Sequence, residues 1–207
     1  MEIGNNSKQK FLVLSLVYLI LTIADFGLTY IGTPNLLFEG NPLVTLFGFG
    51  WSALIIINLA ILPFYIWLTY ISFVGYKRSI IQCEGIKQYI SIILYNRPDK
   101  FEWIIWKFPV NKKAWICYLA AIGYAISISF IIYRIILVIE WITFITKIYR
   151  VSYIVDWYHN YLLPIPKMLH LLLLIGGFLI YWYYKEFKIN QHNCEAKSLN
   201  ESKHENI

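Results

Sequence analysis

FLVLSLVYLILTIADFGLTYIG, residues 11–32, is the stretch that decides the architecture of this chain. Its single charge is Asp25, and at about 1.5 Å of rise per residue it reaches across a hydrocarbon core roughly 30 Å thick. The apolar character continues past Asp25, no small-x-small cleavage site follows, and further apolar runs come after. It therefore reads as a retained transmembrane helix and not as a signal peptide. Three more spans are expected at about residues 43–74, 114–139 and 166–184. The second is overlong, which predicts tilt or a break near Pro63. The composition agrees: 58% of the 207 residues are hydrophobic and 18% aromatic, and only 14% are charged, about half the share of a soluble domain. Mean hydropathy is +0.55. The expected fold class is all-α, a polytopic membrane protein with a four-helix transmembrane bundle and interfacial amphipathic segments.

The net charge is +6, and its placement matters more than its size. Lys8 and Lys10 precede the first span, and the first loop carries no basic residue. The second loop, residues 75–113, holds Lys77, Arg78, Lys87, Arg97, Lys100, Lys107, Lys112 and Lys113. The third loop, residues 140–165, has Lys147 and Arg150, with Lys167 just beyond. Lys185, Lys188, Lys197 and Lys203 follow the last span. Basic residues bias loops toward the cytoplasm, so both termini and the second loop are expected inside a cell membrane. The charge is thus a topology signal, and nucleic acid is not an expected partner. The three cysteines, Cys83, Cys117 and Cys194, have no Cys-x-x-Cys spacing and support neither a disulfide framework nor a zinc site.

Within the second loop, Ile80, Ile81, Ile86, Ile90, Ile93 and Leu94 fall at helical spacing between Ser79 and Leu94, with basic and polar residues between them. The pattern predicts an amphipathic helix on the inner leaflet. A second apolar patch, Phe101 to Phe108, is expected to dip into the interface. Anchoring explains both segments, and a headgroup-specific role is the sharper alternative. Residues 1–10 read as a short cytoplasmic N-terminus, 11–186 as the transmembrane domain, and 187–207 as a polar, disordered tail.

Ser15, Tyr18, Thr22, Asp25 and Thr29 recur at steps of three and four, so they share one face of the first helix. Lipid would penalise that face, and it is expected to look into the bundle. Ala120, Gly123, Ser127, Ile131 and Arg134 make a comparable stripe in the third span. Asn58, Tyr65, Thr69 and Ser72 make a weaker one in the second. Asp25 and Arg134 both lie roughly 9–11 Å below the outer end of their helices. An unpaired charge there costs at least about 2.5–3.5 kcal/mol, so the two are expected to pair. Such a pair either locks helix register or serves a function.

Other candidates lie on the outer side. Glu39, Asn41, Glu140, Asp156 and His159 fall in outer loops, and His170 lies one turn into the last span. Asp25, Glu39 and His170 are candidate catalytic groups, and His159, His170 and Asp156 are weak candidate metal ligands. No His-Glu-x-x-His motif supports a metal, and no cofactor is expected. Glu39, Asn41 and Pro42 also make an ordinary helix start, with Asn as N-cap and Pro at the first helical position.

The combination of Asp25-x3-Thr29, Gly32 and Glu39-Gly40-Asn41-Pro42 leading into a second span resembles a group of small uncharacterised prokaryotic multi-pass membrane proteins. In that group the first helix ends with Asp and Thr and the second opens with Glu-x-Asn-Pro. The resemblance implies an outer site near Asp25 and Glu39 and names no reaction. Three functions fit the sequence. The first is a structural or interaction module whose partners are the bilayer and a second copy or another membrane protein. The second is a transport or channel subunit lined by Asp25 and Arg134. The third is an outer-leaflet enzyme, a hydrolase or lipid-modifying activity, using Asp25, Glu39 and His170.

Overall fold

The computed structural model of the chain describes residues 3–36, 44, 47–98, 109, 111–146 and 167–205. Among the described residues all regular structure is helical. Helix α1 spans Ile3–Gly32, α2 spans Trp51–Tyr70 and widens into a π-helical turn at Ile71–Gly75, and α3 is the short helix Ile86–Tyr95. The two longest follow, α4 at Lys112–Thr146 and α5 at Lys167–Glu205. Asn6–Gly32, Trp51–Gly75 and Lys112–Thr146 are long and apolar enough to cross a membrane.

Burial in these helices is inverted relative to a soluble bundle. Thr69, Ser127 and Ser129 are fully buried, whereas Leu12, Ile23 and Leu59 are more than 60% exposed. Lipid accepts such a surface, and polar side chains must instead turn inward.

Helix α4 is the hub and packs against each of the other helices. Its small residues make this feasible: Ala114, Ala120, Ala121, Gly123, Ala125, Ser127 and Ser129 are buried on several of its faces. α1 and α2 pack against α4 and against each other, while α5 packs against α4 and α3. At Gly123 the backbone of α2 comes so close that a Cβ would overlap the Leu68 carbonyl. Only glycine permits that approach, and close approach is how helices gain contact without a hydrophobic driving force. The π turn follows at once, closed by Tyr76 N–H donating to the Ile71 carbonyl at 2.8 Å.

Several element boundaries differ from the sequence expectations. No break occurs at Pro63, which sits within continuous helix; the irregular turn lies eight residues later, where α2 meets Gly123. The amphipathic helix expected from Ser79 begins only at Ile86, because Gly85 interrupts it in extended conformation. It ends at Asn96, whose left-handed backbone (φ 54°) suits asparagine. The third span extends to Lys112–Thr146, so Glu140 lies in helix α4 and not in a loop. Asn111 starts that helix, its side chain accepting from Ala114 N–H at 2.9 Å.

The largest correction concerns residues 187–205. They were expected to be disordered and instead continue α5 to Glu205. This stretch has neither Pro nor Gly, and Phe187 and Asn190 are buried on the face that carries Glu186. Tertiary contact thus supports a segment too polar to be recognised as structured.

Candidate functional site

The polar stripes of α1, α2 and α4 meet in a seam with three levels. At the level nearer Gly32, Arg134 of α4 forms an ion pair with Asp25 of α1. Its second amino group donates to Asn58 Oδ1 of α2 at 2.5 Å. Asn58 is in turn held by its amide, which donates to the Leu54 carbonyl at 2.9 Å. One guanidinium therefore links three helices. Its planar fork supplies several fixed donors, which suits it to two acceptors on different helices.

The middle level is aromatic. Tyr18 and Tyr65 stack with centroids 3.8 Å apart, and Phe130 flanks both at 6.3 Å. The Arg134 guanidinium lies 6.0 Å from the Tyr18 ring, at the edge of cation–π range. Tyr18 and Tyr65 are almost completely buried. Below them, Thr69 and Ser127 share a hydrogen bond of 2.7 Å, and the Tyr65 hydroxyl donates to the Ser127 carbonyl at 3.3 Å.

The hydroxyls of α1 turn back on their own helix. Thr22 donates to the Tyr18 carbonyl and Thr29 to the Asp25 carbonyl, each at 2.8 Å. That geometry satisfies them inside an apolar surround. The structure thus brings Asp25, Arg134, Tyr18 and Ser127 into one seam and places Thr22 and Thr29 along its wall. Asn58 is the member whose role sequence reasoning missed. Its place on the polar stripe of α2 was visible, but its partner was not.

His170 is buried on α5, the helix that packs on α4 and α3, whereas Asp25 lies on α1. Glu39, Asn41, Pro42, Asp156 and His159 lie outside the described residues. Among the described residues no group of three His, Cys, Asp or Glu side chains is arranged to hold a metal ion.

A second polar assembly lies at the opposite, basic end, and sequence reasoning did not anticipate it. Glu186 accepts both Nε and Nη2 of Arg78, at 2.7 and 2.9 Å. One turn on, Asn190 accepts from Ile81 N–H at 2.8 Å and donates to the Ile81 carbonyl at 2.7 Å. The amide side chain thereby pairs with the backbone as a neighbouring strand would. Cys194 adds a weaker contact to the same carbonyl at 3.5 Å. The bidentate bond to Glu186 raises the Arg78 pKa above its usual value. Burial pushes the Tyr76 and Tyr89 phenols up. The signal available in the sequence was the spacing of Tyr183, Glu186, Asn190 and Cys194 on one helical face.

No family model matches the chain, and no curated protein or solved structure matches it either.

Proposed function

We propose that this chain is a multi-pass integral membrane protein that acts as a structural or interaction module, with the Asp25–Arg134–Asn58 junction setting the register of its helices. The observation that carries this reading is the double engagement of Arg134. Its charge is met by a carboxylate from one helix and an amide from another, as expected of a group buried to hold a fold together. The stacked Tyr18 and Tyr65 rings lie across the seam directly beneath. They argue against a polar path from Asp25 toward the basic end, which a transport subunit would require.

In this reading the apolar part of α5, about residues 169–184, is a fourth crossing. Leu172, Leu173 and Ile180 on it are strongly exposed, as lipid-facing residues are. Both termini and residues 75–113 lie on the cytoplasmic side, following the excess of Lys and Arg there.

The test is a double-mutant cycle on the purified protein in detergent. Asp25→Ala and Arg134→Ala each leave a buried charge alone and are expected to destabilise by about 3–5 kcal/mol. The double variant is expected to recover about 0.5–3 kcal/mol of the combined loss. Single variants that unfold with wild-type stability would overturn the proposal, because charges not needed for folding would then call for a functional reason.

A further inference from the structure

Between residues 75–81, α3 and the first turns of α4 lies a cavity of about 370 Å³. We propose that it binds an acidic phospholipid of the adjoining leaflet, with the phosphate at its rim and the upper acyl chain against its wall. The proposal rests on the reading that this end of the molecule sits in a bilayer leaflet, and it adds a ligand that the packing of the helices does not require.

The chemistry of the lining is divided as an amphiphile is. Lys77, Lys113 and Asn96 contribute cationic and amide donors, whereas Ile80, Ile93 and Ile116 contribute an apolar wall. Among the described residues no acidic side chain lines the cavity. Glu186, a described acid at this end of the molecule, is already bound to Arg78. Neither lysine is ion-paired to another described residue.

Height in the fold agrees with chemistry. Gly75 ends the apolar stretch of α2 and Lys113 lies in the first turn of α4. The cavity therefore opens where two apolar helices emerge, which is the level of phosphate groups in a bilayer. Its volume lies within the range of small-molecule sites, which runs from roughly 300 to 1,000 Å³. A soluble anion would account for the lysines and leave the isoleucines unexplained. A neutral lipid would do the reverse. An acidic phospholipid satisfies both, and basic residues at the cytoplasmic surface attract such lipids.

The experiment uses the full chain in micelles doped with equal amounts of phosphatidylglycerol and phosphatidylcholine, with retained lipids counted by native mass spectrometry. One phosphatidylglycerol is expected to be retained in preference to phosphatidylcholine. Lys77→Gln combined with Lys113→Gln is expected to lower that preference by roughly 10- to 30-fold. Ile80→Glu should lower it as well with both lysines in place; Ile80 is exposed, so its replacement leaves folding intact. Lys8→Gln with Lys10→Gln, neither of which lines the cavity, should leave the preference unchanged. Equal retention of the two lipids would overturn the proposal, as would an equal loss in the Lys8 and Lys10 control, which would mark diffuse attraction. Displacement of the lipid by glycerol phosphate at matching concentration would point to a soluble anion instead. If wild type retained neither lipid, the membrane reading itself would fall with it.

Discussion

Arg134 shows how one residue organises several helices. A guanidinium largely enclosed among apolar helices is costly unless its donors are matched, and here Asp25 and Asn58 match them from different directions. Gly123 works by the opposite means, through the absence of a side chain. Gly123→Ala places a methyl group against the Leu68 carbonyl and is expected to lower stability by about 1–3 kcal/mol as the helices are forced apart. Thermal unfolding in detergent measures this. Gly27→Ala is the control, since its added methyl meets nothing within 4 Å, and a loss as large there would sink the packing explanation. Both the charged pair and the glycine were legible in the sequence, because lipid admits few reasons for a charge or a small-residue stripe inside an apolar span. The role of Asn58 was not legible: an amide on a polar stripe has many potential partners, and only the crossing of α2 and α4 selects one.

Among the elements, α5 departs most from what its composition suggests. Its apolar part packs on α4, and its polar continuation grips the segment after α2 through Glu186 and Asn190. Asn190→Ala removes both bonds to Ile81 and leaves a backbone amide unmatched. Hydrogen exchange at Ile81 is then expected to speed up by about 10- to 100-fold, with the exchange of α1 unchanged. Unchanged exchange at Ile81 would show that the segment is held by apolar packing alone. Tyr183, Glu186, Asn190 and Cys194 stand at helical spacing, a signal that sequence reasoning did not use. Their polarity made the segment resemble a tail, since burial of Asn190 becomes favourable only when the Ile81 backbone is there to pair with it. The late start of α3 has a similar origin. Residues 80 and 81 belong to the helical apolar pattern, but the backbone N–H and carbonyl of Ile81 are both taken by the Asn190 side chain and not by a helical turn.

For the whole molecule, cysteine chemistry reports orientation. Cys83 and Cys194 lie at the basic end, and Cys117 is buried above them. In single-cysteine variants, a membrane-impermeant maleimide is expected to label Cys83 and Cys194 in inverted vesicles and not in intact cells. Labelling from outside would reverse the proposed topology. Burial raises the Cys83 thiol pKa, so less thiolate is present at a given pH. Its labelling should therefore rise at higher pH than that of an unhindered thiol. The helical class, the apolar spans and the charge asymmetry all follow from the chain read residue by residue, because hydrocarbon imposes one rule on every position: apolar surface outward and backbone bonds within the helix. Which helix became the hub, which amide completed the arginine, and how far α5 ran were decided only when the helices met. Each depends on the particular partner atoms brought within hydrogen-bonding or van der Waals reach, and spacing along a single chain carries no record of those partners.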